Sequence, residues 1–266
     1  MQPLIVAEQT RQGIADFLKT TFPATTRGFE SLMADFLDAP GNLAKGPYLT
    51  IGLPFKAGPS GPPAFHWAET FRPYAHQARA FSRLVSATAR STLVATGTGS
   101  GKTECFLFPV LEHCRQMRVE GRRGIKAVLI YPMNALATDQ ANRLAKEIVT
   151  RKGLSGITAG LYVGDESEDK NTTVRRVAGD RYTVITDRDR IREEPPDILL
   201  TNYKMLDFLL LRARDAVLWR HNQPDTLRYL VVDELHAYDG AQGTDLGCLI
   251  RRLKARLRMP PPPVPM

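Results

Sequence analysis

The stretch from residue 93 to residue 104 contains the groups that hold a triphosphate, in the order Leu-Val-Ala-Thr-Gly-Thr-Gly-Ser-Gly-Lys-Thr-Glu. Glycines allow backbone N–H groups to close around phosphate oxygens, and Lys102 would reach the outer phosphates. The hydroxyl of Thr103 is placed to ligate the magnesium that accompanies the nucleotide. We therefore predict that the nucleotide is bound by Thr98, Gly99, Ser100, Gly101, Lys102, Thr103 and Glu104.

The loop departs from the strict phosphate-loop pattern at one position, where Thr96 stands in place of a glycine. A glycine-rich turn without function is the alternative interpretation. That alternative would leave three glycines, a lysine and a threonine at the required offsets to coincidence. The apolar run before the loop and the predicted helix after it also favour nucleotide binding.

A second group of residues could hydrolyse the bound nucleotide. Residues 230–236 read Leu-Val-Val-Asp-Glu-Leu-His and lie at the end of an apolar run. Asp233 would hold the magnesium, directly or through water, and Glu234 would polarise the attacking water, while Lys102 binds the phosphates. An acidic N-cap for the following helix is the alternative role for Asp233. On its own, His236 is typical of a packed or capping residue.

Alternating strands and helices must bring these two groups together. Continuous apolar runs indicate strands that are buried on both faces, so the pattern predicts an α/β fold with a mainly parallel sheet between helices. Both groups follow strand ends, and ligands of such sheets bind at the carboxyl ends of the strands. The predicted strands are Ser91–Ala95, Ala127–Tyr131, Thr158–Val163, Ile198–Thr201 and Tyr229–Val232. The predicted helices are Thr103–Arg118, Ala135–Val149, Tyr203–Arg214 and Gly243–Leu257.

Three regions are expected along the chain. Residues 1–70 form an N-terminal extension with two short amphipathic helices, Ile5–Phe17 and Phe29–Leu37, and a proline- and glycine-rich passage. Residues 71–259 form the nucleotide-binding domain, and residues 260–266 are a proline-rich tail. Within the domain, residues 165–195 carry many charges of both signs and predict a solvated excursion, with a possible short strand at Tyr182–Ile185.

Composition restricts the class of protein. The 266 residues carry a formal net charge of +8, which is compatible with a polyanionic partner without proving one. Three cysteines without CxxC spacing indicate reduced thiols. No apolar run approaches the roughly 20 residues of a membrane span, and the first residues lack the features of a signal peptide. We therefore expect a cytoplasmic protein without a membrane partner.

These motifs resemble the first RecA-like motor domain of superfamily 2 DEAD/DEAH-box helicases, with Asp-Glu-Leu-His as the box. The resemblance spans residues 71–258 and implies a RecA-like P-loop domain that uses ATP and Mg²⁺. Residues 72–77, Arg-Pro-Tyr-Ala-His-Gln, resemble the family's glutamine motif. By that resemblance Gln77 would contact adenine, Tyr74 would pack nearby, and His236 would couple the nucleotide site to movement.

Two further motifs resemble those that hold the nucleic-acid backbone. The segment that contains Pro132 and Asn134 is similar to the family's Pro-Thr-x-Ala-Leu motif, with Met-Asn replacing Thr-Arg, so one expected phosphate contact is lost. Thr201, Asn202 and Tyr203 begin an element similar to its Thr-x-x-x-Leu motif. Two basic clusters, each of which could equally be a solvated helix face, are Arg115, Arg118, Arg122, Arg123 and Lys126, and Arg251, Arg252, Lys254, Arg256 and Arg258.

The extended box, Asp-Glu-Leu-His-Ala-Tyr-Asp-Gly, is similar to bacterial helicases of the DNA-repair and phage-defence type, many of them associated with a DUF1998 region. The resemblance therefore favours DNA over RNA. Such motors hydrolyse ATP between two RecA-like domains, and the second domain with its arginines is not found in this sequence. We expect the isolated chain to be a fragment with little activity. The alternatives are a P-loop ATPase switch, or an inactive nucleotide-binding scaffold, that does not act on nucleic acid.

Overall fold

A computed structural model describes residues 3–23, 25–46, 54–59, 65–85, 89–97, 99–164 and 184–259, and the backbone of 176–177 and 180–181. Contacts between residues divide the chain into two compact units, Met1–Pro54 and Phe55–Met266. The second unit contains the sheet and all the residues considered for the site.

The first unit contains the two predicted amphipathic helices, α1 at Pro3–Thr21 and α2 at Leu32–Asp38. Their contact includes an ion pair between Lys19 Nζ and Asp38 Oδ1 at 2.8 Å. Few large side chains are buried in this unit: Leu37 is 4% exposed, whereas Phe17 is 61% exposed. The helices were predictable because their apolar residues recur at helical spacing.

The second unit is built on a parallel four-stranded sheet with the strand order β2-β5-β1-β6. Its strands are β1 at Ala127–Tyr131, β2 at Ala159–Tyr162, β5 at Ile198–Asn202 and β6 at Tyr229–Val232. A separate antiparallel pair joins β3, Arg176–Val177, to β4, Asp180–Arg181. The predicted α/β fold with a parallel sheet is therefore confirmed.

Helices cover both faces of the sheet. On one face, Leu129 and Tyr131 of β1 lie in a core with residues of α3, α4 and α5. On the other face, Val128 and Ile130 lie in a second core with residues of α6, α7 and α8. This division follows from the two-residue alternation of side chains along a strand. The helices are α3 at Ala75–Val85, α4 at Lys102–Val119, α5 at Asn134–Thr150, α6 at Arg188–Glu193, α7 at Tyr203–Leu211 and α8 at Gly240–Arg256.

The second unit begins at Phe55, earlier than the expected boundary at residue 70. Phe65 is 3% exposed, and its ring centroid lies 5.8 Å from that of Phe108 in α4. The indole Nε1 of Trp67 donates to a carboxylate oxygen of Glu112 in the same helix at 2.8 Å. These aromatic residues belong to the main core, which the proline- and glycine-rich sequence before them does not reveal.

The strand predicted at Ser91–Ala95 is not formed. The described residues 89–97 have no strand assignment, and Leu93 is 75% exposed. Strand β6 is therefore the last strand of the sheet on that side, and three of its four residues are only partly buried. The apolar character of Leu93 and Val94 predicted a buried strand, but a strand requires a hydrogen-bonded neighbour, and none is present for this segment in the described part of the chain.

The segment 165–195 is not simply a solvated excursion. Residues 187–194 include α6, where Ile191 is fully buried. In the same helix Arg192 pairs with the buried Asp215, with 2.7 Å between Nε and Oδ1. The sequence did not predict this short helix because its other residues are charged and Ile191 is its only apolar residue. Of the short strand predicted at Tyr182–Ile185, residues 182 and 183 lie outside the described residues, and Ile185 forms an isolated parallel bridge with Gly160.

Two helices are shorter than predicted. Helix α2 begins at Leu32 instead of Phe29, and α7 ends at Leu211 instead of Arg214, where a 3₁₀ segment, Ala213–Trp219, follows it. No helix among the described residues is long and apolar enough to cross a membrane.

Candidate nucleotide and nucleic-acid site

The glycine-rich loop leads directly into α4. Gly99 and Gly101 both have φ of 73°, a left-handed conformation that glycine adopts without strain, and Gly101 is the N-cap residue of the helix. Lys102 and Thr103 therefore occupy the first turn, where unpaired backbone N–H groups and the helix dipole favour an anion. Ser100 is fully buried, and Thr98 lies outside the described residues.

Side chains of α3 and its N-terminal turn fix the loop. Gln77 is 2% exposed; its amide Nε2 donates to the carbonyl of Gly101 at 3.0 Å, and its Oε1 accepts from the backbone N–H of Tyr74 at 2.8 Å. The Nε2 atom of His76 lies 2.9 Å from the carbonyl oxygen of Ser100. Gln77 thus holds the loop in this conformation, and its adenine contact stays a prediction. Tyr74 is 39% exposed beside it.

The residue that departs from the phosphate-loop pattern has a role in the loop. The hydroxyl groups of Thr96 and Ser100 lie 2.6 Å apart, at hydrogen-bonding distance. A glycine at 96 could not make this contact, which closes the loop on itself across four residues. The departure therefore replaces backbone freedom by a side-chain bond.

Replacing Gly101 by alanine is expected to loosen the loop. A Cβ atom there would lie 2.4 Å from Nε2 of Gln77. Alanine would also have to adopt φ of +73°, a conformation that is strained for residues other than glycine. We expect a loss of about 1–3 kcal/mol in the free energy of unfolding, together with weaker ATP binding. Gly97→Ala is the matched control, because nothing lies within 4 Å of its Cβ position. Thermal unfolding measures the stability of both variants. Equal effects of the two substitutions would contradict the role of Gln77 in holding the loop.

The acidic pair begins where β6 ends. The backbone N–H of Asp233 donates to the carbonyl of Ile130 at 3.0 Å, which continues the pairing of β6 with β1. Glu234 then turns into the left-handed region, with φ of 48°, and its N–H donates to Oδ1 of Asp233 at 2.9 Å. The Nδ1 atom of His236 lies 3.3 Å from Oε2 of Glu234. The left-handed turn at Glu234 thus directly follows the residue that extends the pairing of β6.

Lys102 and Asp233 lie within electrostatic range of each other. Burial raises the pKa of the Asp233 carboxyl above its ordinary value, and the charge of Glu234 acts in the same direction. The N–H of Glu234 and the positive charge of Lys102 lower this pKa. The charge of Lys102 therefore acts on Asp233, and the roles of these residues in binding phosphate and metal stay predictions.

The raised pKa of Asp233 has a consequence for stability. A carboxyl whose pKa is raised by folding destabilises the folded state at neutral pH, where it is charged, and this cost falls as pH drops through the folded-state pKa. We expect Asp233→Asn to abolish Mg²⁺-dependent ATP binding while stabilising the nucleotide-free protein by less than about 1 kcal/mol, given its partial exposure. Unfolding measured against pH should show the gain at pH 7 shrinking towards acid; a destabilised variant would contradict this prediction.

Glu104, a predicted nucleotide contact, is engaged elsewhere in this conformation. Its Oε1 atom pairs with Arg143 of α5, and its Oε2 atom is buried without a hydrogen-bond partner among the described residues. The pair joins the first turn of the phosphate-loop helix to the helix that begins at Asn134. Nothing in the spacing of the sequence indicated this contact.

Asn134 and Asn202 join the ends of three strands. The Nδ2 atom of Asn134 donates to the carbonyl of Gly164 at 2.5 Å, and that of Asn202 donates to Oδ1 of Asn134 at 2.7 Å. Oδ1 of Asn202 also caps α7 by accepting from the N–H of Met205 at 2.7 Å. Pro132 and Tyr203 adjoin this pair in the chain and are partly buried. These four predicted nucleic-acid contacts occupy one edge of the sheet, and their role stays a prediction.

Thr201 has a structural role that its motif did not indicate. It is fully buried, and its hydroxyl donates to the carbonyl of Tyr162 at 2.6 Å. Its side chain therefore supports the junction between β2 and β5, and its contact with nucleic acid stays a prediction. The motif resemblance could not reveal this, because a threonine at a strand end can point either way.

Most side chains of the first basic cluster form ion pairs within the protein. Lys126 is 2% exposed and lies 2.5 Å from a carboxylate oxygen of Asp197. Arg118 pairs with the same Asp197, and Arg122 pairs with Asp225 at 2.6 Å. Positive charge in this cluster therefore balances buried or neighbouring carboxylates. In the second cluster the arginines and lysine are exposed, and Arg252 pairs with Asp207 at 2.5 Å.

A glycine-rich loop at the start of a helix, together with an acidic pair at the end of a parallel strand, is typical of a P-loop NTPase domain. The sequence profile described as DEAD/DEAH box helicase matches residues 74–264, more than half of the chain. The chain belongs to the DEAD/DEAH box helicase family, as the resemblance of its motifs predicted.

Relatives and solved structures agree with this assignment. Druantia protein DruE of Escherichia coli (strain UMEA 4076-1) is 27% identical over 71% of this chain and 15% of its own length. The uncharacterized ATP-dependent helicase YprA of Bacillus subtilis (strain 168) is 32% identical over 68% of this chain and 20% of its own. A crystal structure of the DUF1998 helicase MrfA bound to DNA and AMPPNP superposes with a TM-score of 0.56 at 28% identity, covering 77% of this chain and 26% of that one.

The chain thus spans a fifth or less of the length of these two curated relatives. Most of the length of each relative lies outside the part that matches this chain.

Proposed function

We propose that the chain is the ATP-binding motor domain of a helicase or translocase that acts on nucleic acid, with DNA favoured over RNA. Two geometric observations support the proposal: α4 begins at Lys102 directly after the glycine-rich loop, and the N–H of Asp233 continues the pairing of β6 with β1. In this proposal the phosphate loop and the acidic pair share one nucleotide cleft, as ATP hydrolysis requires.

The residues of the cleft divide the chemical work. Lys102 and the N–H groups of the first turn of α4 bind the β- and γ-phosphates, and Tyr74 offers an exposed ring near the base. Glu234 orients water and accepts its proton, while His236, 3.3 Å from Glu234, holds that carboxylate and links it to the nucleic-acid side. Support for these roles comes from the start of α4 at Lys102 and the end of β6 just before Asp233.

Magnesium fits the donor set of this cleft. Thr103 supplies a hydroxyl oxygen and Asp233 a carboxylate oxygen, and Mg²⁺ prefers few protein oxygens together with water and phosphate. The described residues contain no group of three His, Cys, Asp or Glu side chains suited to a metal. This favours a metal site that is completed by the nucleotide over one formed by protein side chains alone. When bound, the ion would neutralise the charge that develops on the phosphates.

Hydrolysis by the isolated chain should be slow. An arginine supplied from a second domain can raise turnover by about 10³ or more, and we propose that a second RecA-like domain closes on this cleft in the longer protein. ATP binding would close the two domains, and product release would reopen them, moving their grip along the strand. The free cysteines, Cys105, Cys114 and Cys248, agree with a cytoplasmic location.

Nucleic-acid dependence separates this function from its rivals. ATP hydrolysis by the full-length gene product is measured alone, with single-stranded DNA, and with RNA of the same sequence. We expect DNA to stimulate hydrolysis more than RNA. Stimulation by RNA alone would contradict the DNA preference, and no stimulation by either would favour a P-loop switch that does not act on nucleic acid.

A further inference from the structure

A cavity of about 320 Å³ lies on the second unit, away from the nucleotide cleft. Three of its lining residues are arginines, Arg220, Arg256 and Arg258, and Trp219 and Gln223 also line it. No carboxylate belongs to its lining, and the adjacent Asp225 is paired with Arg122 at 2.6 Å. The cavity is therefore positive and polar.

Its place in the fold separates it from the ATP site. The loop that contains Trp219 and Gln223 precedes Tyr229, where β6 begins, whereas Asp233 follows the end of β6. Helix α8 begins near the acidic pair and ends at Arg256, about 25 Å further along its axis at 1.5 Å per residue. The cavity thus lies towards the amino ends of the strands, opposite the nucleotide cleft.

Arg258 lies in a conformation that glycine favours. After α8 ends, the N–H of Arg258 donates to the carbonyl of Ala255 at 3.1 Å and that of Met259 to the carbonyl of Lys254 at 3.0 Å. This is a Schellman motif, in which the residue with positive φ is usually glycine; here Arg258 has φ of 52°. The backbone alone would be more stable with glycine, so the arginine is a residue that folding does not require.

Trp219 contributes a second unexplained group. The residue is 6% exposed, and its indole Nε1 is a buried donor without an acceptor among the described residues. An indole N–H can only donate, and a buried donor without an acceptor is destabilising. Trp219, which lines the cavity, therefore carries a donor without a partner, and a turn of its indole ring could bring that donor to an oxygen-bearing ligand.

Stabilisation of the helix end does not explain all three arginines. Arg256 in the last turn would interact favourably with the C-terminal end of the helix dipole. Arg220, however, comes from another segment and is held by bonds to the carbonyl of Glu193 and to Nε2 of His221. The guanidinium groups of Arg256 and Arg258 have no hydrogen-bond or ion-pair partner among the described residues. Three guanidinium groups that line one cavity repel one another, and an anion bound among them would relieve this repulsion.

We propose that this cavity is a binding site for a phosphate group, formed by Arg220, Arg256 and Arg258 beside Trp219. Guanidinium groups bind phosphate oxygens through paired hydrogen bonds, which suits this lining better than any apolar ligand. Exposed Arg251 and Lys254 precede Arg258 at helical spacing, so a nucleic-acid backbone could supply the phosphate. A free phosphate compound shares the same chemistry. The site does not depend on the proposed motor function.

Tryptophan fluorescence tests the site directly, because the protein has two tryptophans and Trp67→Phe leaves Trp219 alone. We expect pyrophosphate to change the emission of Trp219 in a saturable way, while sodium chloride of equal ionic strength does not. The change should persist in Lys102→Ala, which removes binding at the nucleotide cleft. A short oligothymidylate that competes with pyrophosphate would identify the source as a nucleic-acid backbone; without competition, the source is a free phosphate compound.

Arg258→Gly separates binding from folding. Because glycine suits φ of 52°, this variant should unfold at the same temperature as the natural protein or higher, yet bind pyrophosphate about tenfold more weakly. Arg123→Gln, an exposed arginine outside the cavity, is the control and should bind normally. If Trp67→Phe misfolds, the indole ¹⁵N–¹H signal of Trp219 in the natural protein replaces fluorescence. No response to either ligand, or unchanged affinity in Arg258→Gly, would overturn the proposal.

Discussion

Replacing Lys102 by alanine is expected to weaken the binding of ATP by the chain strongly. The lysine is the charged group of the phosphate loop, and charge-assisted hydrogen bonds contribute about 1.5–3 kcal/mol each. Its loss should lower the affinity for Mg²⁺–ATP by about 10- to 150-fold. The variant should still fold, because Lys102 is partly exposed and its removal leaves no buried charge without a partner.

Binding of a fluorescent ATP analogue measures this loss. Lys146→Ala is the matched control, since Lys146 is an exposed lysine of α5 outside the cleft. It should bind the analogue as the natural chain does. Equal affinity in Lys102→Ala and Lys146→Ala would show that the loop does not hold the phosphates.

Replacing Glu234 by glutamine should leave ATP bound but prevent its hydrolysis. Glutamine has the same shape and can adopt the turn at φ of 48° equally well, but it cannot accept a proton from water. Loss of a general base lowers turnover by about 10²–10⁴-fold. Hydrolysis is followed in the full-length gene product, because arginines of a second domain are expected to raise turnover.

Binding and turnover must be compared for this variant. Asp245→Asn, an exposed carboxylate of α8, is the control and should keep normal turnover. Normal hydrolysis by Glu234→Gln would assign the base to another residue, whereas loss of binding together with hydrolysis would place Glu234 in nucleotide binding instead.

The sheet and its carboxyl edge were predictable because continuous apolar runs leave few alternatives. The strand at Ala127–Tyr131 is buried at all five positions, as its sequence Ala-Val-Leu-Ile-Tyr indicated. Ser91–Ala95 also contains a run of apolar residues but has no partner strand in the part of the chain that the structure describes. Strand formation depends on pairing, and pairing depends on distant residues that composition does not identify.

The contacts between side chains of the site were less predictable than the motif residues themselves. Lys102, Asp233 and Glu234 follow from motif and position, whereas the contact of His76 with Ser100 and the pairing of Arg143 with Glu104 link segments 24 and 39 residues apart. No local rule specifies such pairs. Arg258 carried a detectable signal, since it follows a helix where glycine is common, but only the backbone angle reveals that the arginine is unfavourable there.

The central proposal is that Lys102, Thr103 and the acidic pair bind one Mg²⁺–ATP. A crystal structure of the chain with a non-hydrolysable ATP analogue and Mn²⁺ in place of Mg²⁺ tests it most directly, because the anomalous signal locates the metal. We expect the metal between the β- and γ-phosphates, next to Thr103 and on the Asp233 side of the cleft. A nucleotide bound elsewhere, or Lys102 and Asp233 facing different ligands, would contradict the motor function proposed for this domain.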